Sequence, residues 1–224
     1  MDNEFDRYAK SYDQDLVAAM PPGMEESEYF ARYKIEHLAR RCAGKTITRI
    51  LDFGCGAGRS LIFLAEKFPH SQIFGFDPST ESVDLAKGRC GAAHVTSDWQ
   101  QVAEEKYDLI LAANVFHHIP RVEMPTRLSQ CANVLQPGAA MGIFEHNPLN
   151  PLTRYVFERC IFDRDAEMIP RNVLMMQAAG AGLRVRKKEY TLFFPKPLAA
   201  LRPIEHWLGW LPLGAQYYLE LTNK

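Results

Sequence analysis

Three glycines in one short turn constrain the fold of this chain more than any other feature of its sequence. In the stretch ILDFGCGAGRS, residues 50–60, an apolar run ends at Gly54, and Gly56 and Gly58 follow at alternate positions. Glycine adopts backbone conformations that other residues avoid, and it lets a ligand approach the main chain closely. A helical pattern begins directly after the turn, and a helix N-terminus offers unpaired N–H groups. Strand, glycine turn and helix together predict a nucleotide-binding unit.

The middle of the chain alternates apolar runs with helical patterns. The predicted strands lie at residues 47–54, 72–77, 92–97, 107–116 and 139–146, and the helices between them at residues 58–68, 79–90 and 121–138. The run at 107–116 is almost wholly apolar, as expected for a strand in the centre of a parallel sheet. This order predicts an α/β fold in which helices cover both faces of a mostly parallel sheet.

The C-terminal part of the chain departs from this alternation. A helix is predicted at 170–182, and alternating patterns predict two further strands at 183–194 and 214–223, which brings the number of strands to seven. Because no internal repeat or long linker divides the sequence, we expect one domain over residues 1–224.

Composition excludes several classes of protein. The 224 residues carry a formal net charge of −1, which gives no general reason to expect nucleic acid or an acidic membrane as a partner. The five cysteines are scattered without a CxxC pair, so neither a zinc site nor a disulfide framework is predicted, and a reducing, cytoplasmic setting is expected. The N-terminus is acidic and polar, unlike a secretory signal, and no apolar run is long enough to span a bilayer.

Acidic residues accompany the glycine turn and the ends of the next two strands. Asp77 ends the second strand 19 residues after Gly58, where a carboxylate can accept hydrogen bonds from ribose hydroxyls. Asp98 follows the third strand, and its neighbour Trp99 can cover an adenine ring. Asp52 precedes the turn, where a carboxylate would repel a pyrophosphate but attract a sulfonium or ammonium group. The D-F-G-C-G-A-G spacing also differs from the G-x-G-x-x-G of dinucleotide sites.

Four stretches in this order, ILDFGCGAGRS, GFDPS, SDW and ANVFHHI, resemble the motifs of the class I S-adenosylmethionine-dependent methyltransferases. The resemblance covers residues 48–147. It implies a Rossmann-like sheet of seven mostly parallel strands, with helices on both faces and the last strand antiparallel. It also implies S-adenosyl-L-methionine as cofactor and S-adenosyl-L-homocysteine as product. Within the class, the chain is similar to the small-molecule enzymes of the methyltransferase type 11/12 subgroup, which includes enzymes of quinone biosynthesis.

The resemblance further implies which residues contact the cofactor. Asp52 is expected near the ammonium group of the methionine portion, and the other residues expected around that portion are Gly54, Cys55, Gly56, Gly58 and Asn114. The ribose is expected to meet Asp77 and Pro78, and the adenine to meet Asp98 and Trp99. We interpret Cys55 as a packing residue rather than a reactive thiol.

The N-terminal stretch EFDRYAKSYD resembles the leader helix of small-molecule methyltransferases, whose aromatic residues fold over the cofactor. We therefore expect a helical lid over about residues 1–44. Tyr12 is expected to contact the cofactor and Tyr8 the substrate, since residues four apart share one face of a helix. Plain packing of this helix against the sheet is the alternative.

Two segments of the C-terminal part, at about 148–180 and 195–213, are rich in aromatic and apolar residues. We expect them to be insertions that lie over the substrate site. The first supplies Arg154 and Tyr155 as candidate substrate contacts, and the tryptophans of the second are expected to pack over the sheet. Together they indicate a largely apolar acceptor with one polar or anionic handle.

The fourth predicted strand ends in FHHIP and the fifth in FEHNP, and in open parallel sheets ligands lie beyond these ends. The side chains expected near the acceptor are therefore His117, His118, Glu145, His146 and Asn147. His146 is the expected general base, because histidine titrates near neutral pH, and a hydrogen bond to a loop is its alternative role. Glu145 and His117 are further catalytic candidates, and His118 is a candidate substrate contact. Since successive strand side chains point oppositely, His117 and His118 are not both expected to reach the pocket.

These observations predict a methyltransferase that acts on oxygen, nitrogen or carbon of a small, partly apolar metabolite. The ANVFHH stretch lacks the Asn/Asp-Pro-Pro-aromatic motif typical of relatives that methylate base amino groups or glutamine amides. An RNA or protein methyltransferase of the same fold is a second hypothesis, supported by the basic run at residues 184–188, and a non-catalytic cofactor-binding module is a third. No nucleic-acid partner is expected. No metal is expected either, because the sequence holds no compact ligand motif.

Overall fold

A seven-stranded sheet lies at the centre of the structure, a computed structural model that describes residues 26–223. Its strands are β1 (Arg49–Phe53), β2 (Gln72–Phe76), β3 (Ala93–Thr96), β4 (Tyr107–Ala113), β5 (Leu135–His146), β6 (Leu183–Thr191) and β7 (Gln216–Asn223). They lie in the order β3-β2-β1-β4-β5-β7-β6. Strands β1 to β5 pair in parallel, and β7 runs antiparallel to both β5 and β6. This topology confirms the predicted Rossmann-like fold.

Helices pack on both faces of this sheet. The α-helices are α1 (Ser27–Arg41), α2 (Arg59–Lys67), α3 (Thr80–Arg89), α4 (Trp99–Ala103), α5 (Met124–Val134), α6 (Pro151–Phe157) and α7 (Arg171–Gly180). Within residues 26–223, the 3₁₀ segments are η1 (Phe116–His118), η2 (Ile161–Asp163) and η3 (Lys196–Trp207). In residues 26–223 we find no helix whose length and apolar character would let it cross a membrane. Tyr8 and Tyr12, predicted to belong to a lid, lie outside the described residues.

Alternation along the strands produces two hydrophobic layers. In β1, Leu51 belongs to the layer on one face and Ile50 to the layer on the other, and in β4 Ile110 and Leu111 divide in the same way. Successive side chains of a strand point to opposite faces, so a strand that is covered on both sides is apolar throughout. Helices therefore cover both faces of the sheet, and the edge where the parallel strands end is the place where a ligand can bind.

The fourth predicted strand is shorter than expected. It ends at Ala113, because the next residue, Asn114, adopts a left-handed backbone conformation with a φ of 59° and turns the chain. The following residues then form η1 instead of continuing the strand. Helices α4 and α6 were not expected from the sequence, since each is too short to show a clear apolar period.

The two C-terminal segments differ in how they cover the sheet. Residues 148–180 form α6, η2 and α7, whereas residues 195–213 consist largely of η3 and a following turn. The expected packing of tryptophans over the sheet is wrong, because 67% of Trp207 and 76% of Trp210 is exposed. Segment η3 instead turns the carboxylate of Glu205 inward, where it accepts hydrogen bonds from the main-chain N–H groups of Phe193 and Phe194.

Candidate active site

A cavity of about 540 Å³ lies along the edge where the parallel strands end. At one end it is lined by the glycine turn that follows β1, and at the other by the histidines of η1 and by His146. Phe157 from α6 and the aromatic pair Phe193 and Phe194 after β6 line its wall. The cavity therefore joins the residues predicted for a nucleotide to those predicted for a second reactant.

The three glycines of the turn all have positive φ angles, but for different physical reasons. A Cβ on Gly54 would lie 2.5 Å from Cγ2 of Val115, and a Cβ on Gly58 would lie 2.8 Å from Cα of Ala86. Packing alone thus requires glycine at these two positions. A Cβ on Gly56 would meet no atom of the described residues within 4 Å, since Gly56 faces the open cavity. Gly56 is the position where a side chain would intrude on a ligand.

Asp77 holds the glycine turn against the end of β2. Its Oδ2 accepts a hydrogen bond from the Gly56 N–H at 2.8 Å, and its Oδ1 accepts one from the Ser79 N–H at 3.0 Å. A carboxylate oxygen has more than one lone pair, so these bonds leave Asp77 able to accept hydrogen bonds from a ligand in the cavity, which it lines together with Pro78. The side chain predicted to hold a ribose therefore also shapes the turn.

Asp52 is a buried carboxylate at the base of the turn. Its Oδ2 has no hydrogen-bond partner among the described residues. Burial, followed by the charge of Asp77, raises the pKa of Asp52 to about 7. Lys34 of α1, which lines the cavity, counteracts this shift, and burial lowers the pKa of Lys34 to about 8 against the attraction of Glu145 and Asp52. An orphaned buried carboxylate oxygen of this kind fits a cationic partner, because leaving it unpaired is costly.

Asp98 and Trp99, the predicted adenine contacts, lie outside the cavity lining of the described residues. Asp98 is exposed and caps α4, accepting a hydrogen bond from the Gln100 N–H at 2.8 Å. Trp99 packs edge-to-face on Phe53 and Phe76, with ring centroids 5.8 and 5.2 Å away. Phe53 and Phe76 line the cavity, whereas Asp98 and Trp99 are not among the described residues that do. Trp99 thus packs against the aromatic residues that line the cavity. The expectation that Trp99 itself covers a ligand ring is corrected to this packing role.

Asn114 lines the cavity from the turn after β4. Its strained backbone is held by a hydrogen bond from its N–H to the Phe144 carbonyl at 2.8 Å, and its Oδ1 accepts one from Gln216 Nε2 at 2.9 Å. Asparagine tolerates a left-handed conformation better than most residues. Gln216 also lines the cavity, and its Oε1 has no hydrogen-bond partner among the described residues. No sequence signal marks Gln216, which reaches the site only because β7 pairs with β5.

Polar side chains from three parts of the chain meet at the other end of the cavity. Nδ1 of His117 lies 2.6 Å from Oε2 of Glu145, and Nε2 of His117 lies 3.3 Å from Oδ1 of Asp163. Nε2 of His118 lies 3.5 Å from the same Asp163 oxygen. The ring centroid of His146 lies 5.0 Å from that of His117. Asp163 is far away in the sequence and carries no motif, so sequence analysis missed it.

Both adjacent histidines line the cavity, so the expectation that only one of them would reach it is wrong. The strand geometry behind that expectation does not apply, because η1 places their ring centroids 4.0 Å apart. Glu145 lies behind them and is 99% buried, and its Oε1 accepts hydrogen bonds from the N–H groups of Val115 and Phe116 at 2.9 and 2.7 Å. Glu145 is therefore placed to position η1 rather than to touch an acceptor.

Burial and two carboxylates determine the charges in this cluster. Burial alone disfavours a charged imidazole, but Glu145 and Asp163 raise the pKa of His117 to about 9. Burial, followed by the charge of His117, lowers the pKa of His118 to about 3 and that of His146 to about 4. In the absence of a bound ion, His117 carries the charge at neutral pH, and His118 and His146 are neutral imidazoles.

Helix α6 presents a face to the cavity that differs from the one expected. Leu152, Val156 and Phe157 line the cavity, whereas the predicted contacts Arg154 and Tyr155 point outward. The Arg154 side chain is 61% exposed, and the Tyr155 ring packs under the guanidinium of Arg159, with 3.9 Å between the Arg159 Cζ and the ring centroid. The residues of α6 that line the cavity are Leu152, Thr153, Val156 and Phe157. They form pairs four residues apart and therefore share one face of the helix, so Arg154 and Tyr155 between them point away from the cavity, which corrects the expectation for these two residues.

Comparison with known proteins agrees with this geometry. Residues 50–138 match a family model described as a methyltransferase domain. A ubiquinone biosynthesis O-methyltransferase from Nitrobacter winogradskyi is 36% identical over 101 residues, which cover 42% of this chain and 36% of that protein. Residues 50–138 thus carry a methyltransferase domain with the class I fold. A 2-phytyl-1,4-naphtoquinone methyltransferase from Synechococcus elongatus is similar to this chain, with 33% identity over 134 residues, which cover 54% of this chain and 56% of that protein.

The chain spans about a third to just over a half of the length of these curated relatives. Solved structures extend the likeness in fold. A SAM-dependent methyltransferase from Archaeoglobus fulgidus has a TM-score of 0.66 at 17% identity, covering 90% of this chain and 96% of that one. Magnesium protoporphyrin IX methyltransferase from Synechocystis, solved with bound SAM, has a TM-score of 0.57 at 15% identity, covering 88% and 79%. These structures confirm the predicted fold, and the family match supports the predicted family and cofactor.

Proposed function

We propose that this methyltransferase moves a methyl group from S-adenosylmethionine to a hydroxyl oxygen of a small, partly apolar metabolite of the quinol type. One observation carries the proposal: a single cavity joins the glycine turn to neutral imidazoles beside an aromatic wall. Its volume of about 540 Å³ is typical of small-molecule sites. The similar ubiquinone biosynthesis O-methyltransferase supports an oxygen atom as acceptor.

The residues at the turn fit the cofactor. When bound, S-adenosylmethionine supplies a methyl group on a sulfonium, which an acceptor atom can displace in line if it is well positioned. Gly56 leaves room beside the main chain, Asp77 offers lone pairs to the ribose hydroxyls, and the orphaned oxygen of Asp52 suits the ammonium group. Two amides near the methionine portion, Asn114 and Gln216, supply further polar atoms.

His146 is proposed to accept or orient the hydroxyl proton of the acceptor. It lines the cavity from the end of β5, and burial together with the charge of His117 keeps it neutral. A pKa of about 4 makes His146 a weak base toward a resting hydroxyl. The hydroxyl becomes far more acidic as its oxygen bonds to the methyl group, and at that point a neutral imidazole can take the proton. Glu145 acts on this site indirectly, by holding His117 and η1.

We propose that residues 148–180 and 192–195 cover the acceptor end of the site, and that they belong to the same single domain as the sheet. Val156 and Phe157 of α6, together with Phe193 and Phe194, form a wall that suits a flat apolar ring. Such a wall keeps water away from the sulfonium and strengthens the electrostatic contacts inside the cavity. This arrangement supports an apolar acceptor, and we propose that the histidines, instead of Arg154, contact its polar group.

The two alternative hypotheses receive less support. In the basic run at 184–188, Arg186 Nε lies 3.8 Å from Glu220, and Lys187 Nζ lies 3.6 Å from Glu189. These acidic neighbours reduce the positive potential that an RNA backbone would need. A module that only binds the cofactor would not need neutral imidazoles at the far end of the cavity. The five free, buried cysteines support our proposal that the enzyme works in the reducing cytoplasm.

The proposal is tested by incubating the purified protein with methyl-labelled S-adenosylmethionine and a metabolite extract that includes quinols. We expect label in a low-mass, organic-soluble product, and a tenfold or larger loss of transfer in His146→Ala but not in His94→Ala, which removes an exposed histidine. Label recovered in RNA or protein would support the second hypothesis. Cofactor binding without any transfer, across a broad set of acceptors, would support the third.

A further inference from the structure

Three side chains at the acceptor end of the cavity present ligand atoms to one point. Nε2 of His117 and Nε2 of His118 lie 3.3 and 3.5 Å from Oδ1 of Asp163, and one ligand atom from each of these residues lies within 4.8 Å of the others. Two ligands that each sit 2.0–2.2 Å from one ion at a tetrahedral angle are about 3.4 Å apart. The two distances from the histidine nitrogens to Asp163 therefore match the spacing of ligands around a single cation, and the third separation lies within 4.8 Å.

The surroundings of His117 are those of a metal ligand. Glu145 accepts the hydrogen bond of His117 Nδ1 at 2.6 Å, and its other oxygen is held by two main-chain N–H groups. This bond fixes the ring so that Nε2 points toward His118 and Asp163. Histidines that bind metals almost always donate their other ring nitrogen in this way, most often to a carboxylate or a carbonyl. Glu145 thus orients the His117 ring in addition to holding η1.

The cluster is also accessible from the cavity. The side chain of His117 is 1% exposed, whereas those of Asp163 and His118 are 10% and 19% exposed, and all three residues line the cavity wall. Three protein ligands on one side leave the remaining coordination positions of an ion open to the cavity, which is the arrangement of catalytic metal sites. The position is next to His146, where the acceptor is proposed to bind.

We propose that His117, His118 and Asp163 bind one divalent transition-metal cation at the acceptor end of the cavity, with Glu145 orienting His117. Two imidazoles and one carboxylate suit Zn²⁺, Fe²⁺, Co²⁺ or Mn²⁺, whereas Mg²⁺ and Ca²⁺ prefer all-oxygen sites. The role of the ion rests on the proposed function: it polarises the acceptor oxygen, which takes an open position. Binding of the ion does not depend on that function. The expectation of no metal arose because Asp163 is remote in the sequence from the histidine pair.

The test uses the full chain without a histidine tag, freed of metal by a chelator and titrated with ZnCl₂, CoCl₂ and MgCl₂ by calorimetry. We expect one Zn²⁺ or Co²⁺ per chain, a visible absorption band for the Co²⁺ form, and weaker binding of Mg²⁺. His118→Ala and Asp163→Asn should each weaken Zn²⁺ binding by at least tenfold, and Glu145→Gln by about 10- to 100-fold. His70→Ala and Asp165→Asn remove exposed groups of the same chemistry and should leave Zn²⁺ affinity unchanged.

Two outcomes would overturn the proposal: no stoichiometric binding of Zn²⁺ or Co²⁺ to the wild-type chain, or equal affinity in folded His118→Ala and in wild type. In the first case, a His117 imidazolium, which carries a proton on each ring nitrogen, is sufficient to bridge Glu145 and Asp163. S-adenosylmethionine is titrated into the same samples, which separates this proposal from the proposed function. Cofactor binding without metal binding contradicts the metal site alone, and metal binding without cofactor binding contradicts the proposed methyl transfer alone.

Discussion

The different roles of the glycines in the turn lead to a prediction that compares three alanine substitutions. Gly58→Ala places a Cβ 2.8 Å from the Cα and Cβ of Ala86, on a backbone with a φ of +80°. Overpacking costs about 1–3 kcal/mol and the left-handed backbone about 1–2 kcal/mol, so unfolding should become easier by about 2–5 kcal/mol. For a chain of this size we expect Tm to fall by roughly 5–20 °C.

Gly56→Ala should behave differently. Its Cβ meets no atom of residues 26–223 within 4 Å, so only the backbone term of about 1–2 kcal/mol applies to its stability. In the cavity, however, the methyl group occupies ligand space. An overpacking cost of about 1–3 kcal/mol weakens S-adenosylmethionine binding roughly 5- to 150-fold, and the branched Gly56→Val should abolish it. Gly182→Ala is the matched control, with a φ of +82° and an equally open Cβ position outside the cavity.

Thermal melts and calorimetric titration of S-adenosylmethionine on the three variants test this reasoning. Gly56→Ala and Gly182→Ala should melt at similar temperatures, and only the former should bind the cofactor weakly. Gly58→Ala should melt lowest. If Gly56→Ala binds S-adenosylmethionine as tightly as Gly182→Ala does, the turn does not face the cofactor. If Gly58→Ala is as stable as Gly182→Ala, the assigned contact with α3 is wrong.

Three further predictions follow from individual side chains. Asp77→Ala should weaken S-adenosylmethionine binding at least tenfold, since about 1.5–3 kcal/mol is lost with charge-assisted hydrogen bonds. Asp84→Ala, at an exposed acid of α3, is the control. Equal affinity of the two folded variants in calorimetry would contradict the prediction. His146→Ala should lower kcat by a factor of about 10² to 10⁴ and leave cofactor affinity unchanged. This is measured by kinetics with the identified acceptor, and wild-type turnover in the variant would contradict the prediction. Because the pKa of Asp52 is raised from 3.8 to about 7 and the ammonium group needs the ionised form, cofactor affinity should increase as the pH rises through about 7. Titrations at several pH values should find this dependence absent in Asp52→Asn, and an identical dependence in both proteins would refute the assignment.

The sheet and the part of the site around the glycine turn could be predicted because their signals are local. The turn, Asp52 and Asp77 lie within one strand–helix–strand unit, and parallel pairing brings their ends together. The positive φ of each glycine and the hydrogen bond from Gly56 to Asp77 follow directly from that unit. A sequence pattern that spans few residues leaves little freedom for the chain to place these groups elsewhere.

The acceptor end could not be predicted because it depends on contacts between distant segments. Asn114 turns the backbone after β4, and no pattern in ANVFHH shows that the histidines then enter a 3₁₀ segment. Asp163 and Gln216 reach the site only through the packing of η2 and the antiparallel pairing of β7. The helical phase of α6, which turns Tyr155 outward, is equally hidden in a helix of seven residues.

Calorimetric titration of S-adenosylmethionine into the purified chain tests the central claim most directly, that the cavity at the glycine turn holds this cofactor. We predict one molecule bound per chain, displaced by S-adenosylhomocysteine and weakened at least tenfold by Asp77→Ala. A titration that shows no binding to the folded chain, or binding that Asp77→Ala and Gly56→Val leave unchanged, would contradict the account.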